Sequence, residues 1–126
     1  MPKPKKVKFK DVVDGAEFPF GRPATVPIIV EPDDPAGGGG GGSARTGVSV
    51  RLFFKRDGVP FQQIISEYVI TGNNLDERAV TFTPMRGSSQ SIRVTAWNRR
   101  QAIANGADIQ TKRLRIKVVS SGRTKS

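Results

Sequence analysis

The sequence predicts an all-β domain, most simply a β-sandwich, and three observations support this prediction. Short runs rich in β-branched and aromatic residues recur along the chain, separated by clusters of Gly, Pro, Asn and Asp. Several runs alternate apolar and polar residues, as a strand with one buried face does. The only helical candidate, residues 100–105, is too short to stand alone and ends at Asn105-Gly106, so it is at most a turn. Regularly punctuated short strands favour a sandwich.

The first segment combines prolines and lysines before apolar residues enter the pattern. We expect residues 1–10 to form a flexible basic N-terminal arm that leads into a short edge strand near Val7–Val13. The next strand is predicted at Ala24–Glu31, where a β-branched run contains Pro27. A proline inside the run indicates an edge strand or a bulge, because proline cannot donate to a β-ladder.

A glycine-rich segment interrupts the strand pattern at residues 32–47, which include six consecutive glycines, Gly37–Gly42. Glycine loses the most backbone entropy on ordering, so we expect a flexible surface loop. A phosphate-binding loop is excluded here, because no Lys-Ser/Thr follows and no helical pattern begins. The sequence thus predicts one domain over residues 11–119 that contains this loop, followed by a polar basic tail at residues 120–126.

The second half of the chain carries the clearest strand pattern. Val48–Phe54 alternates and leads to a turn at Asp57-Gly58, where glycine can adopt a positive φ. The further strand candidates, separated by polar turn segments, are Ile64–Ile65, Tyr68–Ile70, Ala79–Thr83, Ser91–Trp97 and Leu114–Val119.

Several of these segments resemble, in the same order, the later strands of intermediate-set immunoglobulin domains. Phe53-Phe54-Lys55-Arg56-Asp57-Gly58-Val59-Pro60-Phe61 resembles strand C and the C–C′ turn. The segments that resemble the next edge strand and strands E, F and G are residues 67–70, 79–83, 92–98 and 114–119. The resemblance implies an immunoglobulin-like Greek-key β-sandwich, with a jelly roll or another Greek-key sandwich as the alternative.

The chain lacks the disulfide and the aromatic residues that lie at the centre of the sandwich in that family. Val94 stands where the cysteine of strand F is expected, Ile92 stands at the corner tyrosine, and Leu52 or Phe53 replaces the tryptophan of strand C. An apolar core would substitute for the disulfide. Cysteine-free immunoglobulin-like domains occur in bacteriophage virions, on capsid and tail proteins, and this chain is similar to that group.

The chain contains no His and no Cys. The commonest general base, the soft metal ligands and the usual nucleophile pairs are therefore missing, and we expect no enzyme, no cofactor and no metal site. The acids fall mostly in predicted turns, where carboxylates cap the backbone. Asp33-Asp34 or Asp76-Glu77 could hold a hard cation such as calcium, but neither has the spaced carboxylates of a calcium loop.

Lys and Arg number 21 against 11 acids, a net charge of +10, which favours an anionic partner. In the final strand the basic residues alternate with apolar ones, which places the charges on one solvated face. Their alternative role there is to keep an edge strand from pairing with other strands. Trp97 is out of phase with the apolar residues of its strand, so it lies on the outer face or covers the sandwich edge. The candidate binding residues are Lys3, Lys5, Lys6, Lys8, Lys10, Arg93, Trp97, Arg99, Arg113, Arg115 and Lys117.

These observations predict a non-enzymatic structural or interaction protein, such as a virion decoration or tail component that docks on capsid or tail subunits. The alternative is a sequence-independent nucleic-acid-binding protein that uses its basic termini and gains affinity from counterion release. A cell-surface adhesion module is a third option, which the missing leader and disulfide disfavour. Without an apolar leader or membrane span, we expect a virion or cytoplasmic location and no membrane contact; the oligomeric state is left open.

Overall fold

Strands account for all regular structure in the computed structural model, which describes residues 4–32, 45–72, 74–98 and 109–119. Within these ranges there are eight strands and no helix, which confirms the predicted all-β class. One sheet has the order β1-β3-β6, and the other has the order β2-β8-β7-β4-β5. The strands are β1 (Pro4–Phe9), β2 (Ala16–Pro19), β3 (Ala24–Pro32), β4 (Arg45–Arg56), β5 (Val59–Thr71), β6 (Asp76–Phe82), β7 (Ser88–Asn98) and β8 (Ile109–Val119).

The two sheets pack together over an aliphatic core. Every second residue of the central strands points inward, because successive side chains of a strand lie on opposite faces. Ile92 and Val94 are fully buried there, so the two positions that the resemblance assigns to a tyrosine and a cysteine belong to the apolar core. Burying one such side chain contributes roughly 1.5–3 kcal/mol. The largest fully buried side chains of this core are Ile28, Leu52, Ile92, Leu114, Val26, Val30, Val48, Val50 and Val94.

Pro27 lies in the central strand of the three-stranded sheet, which corrects the expectation of an edge or a bulge. The amide of Lys10 donates to the Pro27 carbonyl at 3.1 Å. In an antiparallel ladder the N–H and C=O of a residue point to the same side, so the Pro27 nitrogen also faces Lys10. The hydrogen bond between Lys10 and Pro27 lies just beyond the last β1–β3 pair, which joins Phe9 to Ile28. The missing N–H therefore interrupts no bond to β6.

The N-terminal strands differ most from the sequence-based prediction. Residues 4–9, expected to belong to a basic arm spanning residues 1–10, form β1 and pair with β3, because Val7 and Phe9 pack into the core. Asp11, with φ 58°, follows the strand. The sequence analysis missed β2, a four-residue strand that pairs in parallel with β8. So short a strand carries little periodic signal of its own.

The β4–β5 hairpin confirms the predicted turn. Asp57 and Gly58 have φ values of 53° and 79°, the positive pair that a tight two-residue hairpin requires. Beyond the turn, the separate candidates Ile64–Ile65 and Tyr68–Ile70 are one continuous 13-residue strand, β5. A register shift in the pairing with β4, between Val50 and Arg51, offsets the side-chain alternation of β5 there and explains why the pattern appeared broken.

Several predictions concern residues outside the described ranges. They are the glycine run Gly37–Gly42, the turn candidate at residues 100–105 and the tail at residues 120–126. Of the predicted loop at residues 32–47, Pro32 ends β3 and residues 45–47 begin β4. Over the described part of the chain, no helix is long and apolar enough to cross a membrane.

Candidate functional site

Three arginines stand side by side on the outer face of the five-stranded sheet. Arg51 of β4 is paired in register with Arg93 of β7, and Arg93 is paired with Arg113 of β8. Their neighbours along each strand, such as Leu52, Val94 and Leu114, point into the core, so the arginines must point outward. We call these three residues the arginine row.

Arg51 is held in place by three polar neighbours. Its Nε donates to Ser49 Oγ at 3.0 Å, and its Nη1 donates to Gln62 Oε1 at 2.9 Å. Its Nη2 lies 3.4 Å from Glu67 Oε2, in an ion pair exposed enough to contribute little to stability. The Arg51 side chain therefore extends along β4 over Ser49 and toward β5.

Arg93, at the centre of the row, packs on an aromatic ring. Its guanidinium carbon lies 4.1 Å from the centroid of Phe53, a cation–π contact that orients the side chain without neutralising it. In the described ranges, no acidic side chain forms an ion pair with Arg93 or Arg113. Like charges directly opposite each other across strands are unfavourable. An anion bound over the row would remove that repulsion.

A shallow groove lies over β4 and β7 and includes Arg51 and Arg93 of the arginine row. Its volume is about 410 Å³. The hydroxyls of Ser49 and Thr95 contribute to its lining, between Arg93 on one side and Trp97 on the other. Four aromatic or hydroxyl-bearing residues surround the guanidinium groups, and no carboxylate lines the groove. The full lining consists of Ser49, Arg51, Phe53, Gln62, Arg93, Thr95 and Trp97.

Trp97 lies on the outer face, where the alternation of β7 places it. It is paired in register with Gly47 of β4. A Cβ added to Gly47 would lie 2.5 Å from the indole Cε2 atom and 2.6 Å from Cζ2, far inside contact distance. The indole therefore lies directly against the Gly47 backbone. A glycine at position 47 is what allows this close approach.

Two further basic residues of β8, Arg115 and Lys117, lie beside acidic residues of the N-terminal segment. The Arg115 amide donates to Asp14 Oδ1 at 2.9 Å, and Arg115 Nη1 lies 3.6 Å from Asp14 Oδ2. Lys117 is paired in register with Glu17 of β2. Because β2 covers this end of β8, the alternative in which these charges guard a free strand edge does not apply to residues 116–119.

The N-terminal lysines lie on the three-stranded sheet, and Lys8 also lines a pocket with Arg113 where β1 meets β8. Lys6 stands directly opposite Glu31, and Lys10 Nζ lies 3.2 Å from Glu77 Oε2. Lys8 stands in the same row as Glu77, with Ile29 between them. The candidate binding residues thus divide between two faces. Lys3, Arg99 and the side chain of Lys5 lie outside the described part of the chain.

The sequence analysis missed Arg51, Ser49 and Thr95. The alternation of Val48–Phe54 placed Ser49 and Arg51 outward, which was the available signal. What the sequence could not supply was the register that sets Arg51 beside Arg93.

No cluster of potential metal ligands occurs among the described residues. Asp76 and Glu77 are consecutive in β6, so their side chains point to opposite faces. Asp76 Oδ2 accepts a hydrogen bond from Arg78 Nε at 3.0 Å, and Glu77 pairs with Lys10. They therefore do not converge on a cation. Asp33-Asp34 lies outside the described ranges.

Tyr68 is the one group whose pKa is strongly shifted within the described structure. Burial, and to a lesser extent the nearby Asp76, raise the pKa of its hydroxyl to about 12 against the opposing effect of Arg78. The Arg78 guanidinium stacks 3.8 Å from the ring centroid, and the buried hydroxyl has no hydrogen-bond partner in the described structure. At neutral pH this tyrosine is protonated.

No protein-family model and no curated protein sequence matches the chain. Solved structures with a similar fold include superoxide reductase (neelaredoxin) from Ignicoccus hospitalis, at 16% identity and a TM-score of 0.57, over 93% of this chain and 82% of that one. A β-glucosidase from Listeria innocua matches at 8% identity and a TM-score of 0.54, over 94% of this chain but only 16% of the enzyme. The PapD-like domain 7 of human CEP192 matches at 13% identity, over 95% and 88% of the two chains, with a TM-score of 0.42.

These comparisons correct the predicted function. The inference from a β-sandwich without catalytic residue types to a non-enzymatic structural protein is wrong, because a protein with a similar fold over most of its length is an enzyme, superoxide reductase. The reported structures also give no support to a virion or tail role. At 16% identity the likeness describes the fold alone, so the activity of the reductase does not transfer to this chain.

Proposed function

We propose that this chain is an immunoglobulin-like β-sandwich that binds an anionic polymer on the outer face of its five-stranded sheet. The immunoglobulin-like assignment draws support from the strand partition. The strands that resemble C, F and G (β4, β7 and β8) lie in one sheet, and the strand that resembles E (β6) lies in the other, which is the distribution of the immunoglobulin fold.

The arginine row is the observation that carries the binding function. It places three guanidinium groups on adjacent strands, and strands lie about 4.8 Å apart. Guanidinium is a planar, permanently charged donor that suits phosphate and carboxylate groups. Of these three arginines, only Arg51 forms an ion pair with an acid in the described structure, and that pair is exposed. The face therefore offers more positive charge than its own acids neutralise.

A polymer fits this face better than a small ion. The groove is open and shallow, and no buried charged side chain closes it around one anion. Basic residues continue along β8 beyond the row, at Arg115 and Lys117. A chain of anionic groups lying across the strands would contact several cations at once and release their counterions, which supplies affinity without a deep pocket.

Salt-dependent binding to a nucleic-acid duplex tests the proposal. We expect the full chain to bind a generic double-stranded DNA with an affinity that falls steeply as salt increases. The triple variant Arg51→Gln, Arg93→Gln, Arg113→Gln should flatten the slope of log K against log salt by about 0.9 for each lost phosphate contact.

The matched control is Lys6→Gln, Lys8→Gln, Lys10→Gln, which removes the same number of charges from the three-stranded sheet, where Lys6 and Lys10 face acids and Lys8 borders Arg113. This variant should bind nearly as well as the unmodified chain. Equal losses in the two triple variants would show that net charge, not the arginine row, drives binding, and a salt slope near zero in the unmodified chain would refute the proposal.

A further inference from the structure

Trp97 presents a flat aromatic surface beside the arginine row. The indole packs against the backbone of Gly47, since a Cβ there would lie 2.5 Å from the ring. An aromatic ring that covers a cross-strand glycine also has a purely structural role, because it replaces the packing that glycine lacks. That role uses the part of the ring that lies on Gly47. Trp97 is partly exposed and lines the groove, so part of its surface remains open to a ligand.

The surroundings of the indole suit a ring that stacks on it. Val69 of β5, which is 39% exposed, and Ile109 of β8 occupy the same row of the sheet as Gly47 and Trp97. One row away, Ser49, Thr95 and Thr111 supply hydroxyl groups, and the β5 position of that row is Glu67, whose carboxylate pairs with Arg51. The next row is the arginine row. An apolar strip, a hydroxyl strip and a cationic strip thus follow each other along the sheet.

The distance between the indole and the arginines is compatible with one flexible chain that contacts both. Trp97 and Arg93 lie four residues apart on β7, which corresponds to about 13 Å along the strand. A ligand that spans them carries an aromatic ring at one position and anionic groups at another. Single-stranded nucleic acid has this composition, since its bases offer exposed π-faces and its backbone offers phosphates.

We propose that the groove binds single-stranded nucleic acid, with a base stacked on Trp97 and backbone phosphates on the arginine row. This inference rests on the proposed function and narrows it. A duplex keeps its bases stacked within the helix, so it meets the cationic strip but not the indole. A sulfated polysaccharide supplies anionic groups without an aromatic base.

Intrinsic fluorescence tests this directly, because Trp97 is the only tryptophan of the chain. The unmodified full chain is titrated with oligothymidylate, with an abasic oligodeoxynucleotide of the same length, with duplex DNA and with heparin. We expect saturable quenching by oligothymidylate alone, with an affinity roughly tenfold or more above that of the abasic strand.

Two variants of Trp97 test whether the indole accounts for the difference in affinity between the two strands. Trp97→Leu should lower the affinity for oligothymidylate to that for the abasic strand, whereas Trp97→Phe, the matched control, should retain part of the difference. Thermal unfolding of each variant reports whether the sandwich is intact, and the titration of the unmodified chain needs no variant. The two variants lack the fluorophore, so their affinities are measured by anisotropy of labelled strands.

The outcomes separate the two proposals. Equal affinity for the oligothymidylate and abasic strands, without quenching, would overturn base stacking and leave the polyanion site in place. Tighter binding of heparin or duplex DNA than of oligothymidylate would also overturn it. Failure of the chain to bind any of the four probes would refute both this inference and the proposed function.

Discussion

The two outer faces of the sandwich arrange their charges in opposite ways. On the three-stranded sheet, cations stand across from acids: Lys6 is opposite Glu31, and Lys10 lies 3.2 Å from Glu77. On the five-stranded sheet, Arg51, Arg93 and Arg113 stand across from one another. The first arrangement stabilises the sheet, and the second costs free energy unless an anion is present.

This difference shows that the density of basic residues in the sequence is a poor guide to where a binding surface lies. The N-terminal segment carries the densest lysine run, yet its described lysines share a face with acids from β3 and β6. The arginines of the other face are scattered over positions 51, 93 and 113, and only strand pairing assembles them.

Charge reversal at one position on each face should give the largest difference in nucleic-acid affinity between the two faces. Arg93→Glu removes the centre of the arginine row and adds a repelling charge, so we expect the affinity for nucleic acid to fall about tenfold or more at low salt. Lys6→Glu makes the same change in net charge on the opposite face, where Lys6 stands across from Glu31, and should alter the affinity by less than about twofold. Fluorescence anisotropy with a labelled strand measures both, and similar losses would remove the distinction between the faces.

At the contact between Tyr68 of β5 and Arg78 of β6, we expect pH, and not a ligand, to change the stability of the fold. Tyr68 ionises near pH 10 in the unfolded chain, whereas in the fold its pKa is raised to about 12, mainly by burial. The unfolded state therefore loses its proton first, and the free energy of unfolding falls as the pH rises from 10 to 12. After allowance for partial exposure, the loss is about 1 kcal/mol.

Tyr68→Phe isolates this contribution. The variant lacks both the ionisable group and the buried hydroxyl without a partner, so its stability at neutral pH should be unchanged or slightly higher. Denaturant unfolding of the two proteins at pH 8 and pH 11.5 gives the comparison. An identical decrease in both would assign the alkaline loss to other groups.

The smallest expected effects are changes in the free energy of unfolding, and they should have opposite signs on the two faces. Arg113→Thr relieves like-charge repulsion and should raise the free energy of unfolding by about 0.5 kcal/mol. Glu77→Thr removes the ion pair with Lys10 and should lower it by about 0.5 kcal/mol. Both differences should shrink in high salt, where surface charges are screened. Thermal unfolding at two salt concentrations measures them, and equal signs would contradict the contrast between the faces.

The predictions that succeeded rest on local features of the chain. Ile92, Val94 and Ala96 are buried and alternate with the outward Arg93, Thr95 and Trp97, because one face of β7 meets the core. The turn at Asp57-Gly58 follows from residues that tolerate positive φ. The missed strand β2 and the early start of the edge strand β1 depend on distant partners, since β2 pairs with residues 116–119 and β1 with residues 28–32 of β3.

The sequence by itself determined most strands of the second half, the buried aliphatic residues of β7, and the outward direction of Arg93, Trp97 and Arg113. These follow from alternation and side-chain chemistry, which act within a few residues. Only the tertiary structure decided that Arg51 joins the row, that Trp97 lies on Gly47 and that acids face the N-terminal lysines. The reason is physical: register between strands is set by how the buried faces pack, and it joins residues far apart in the chain.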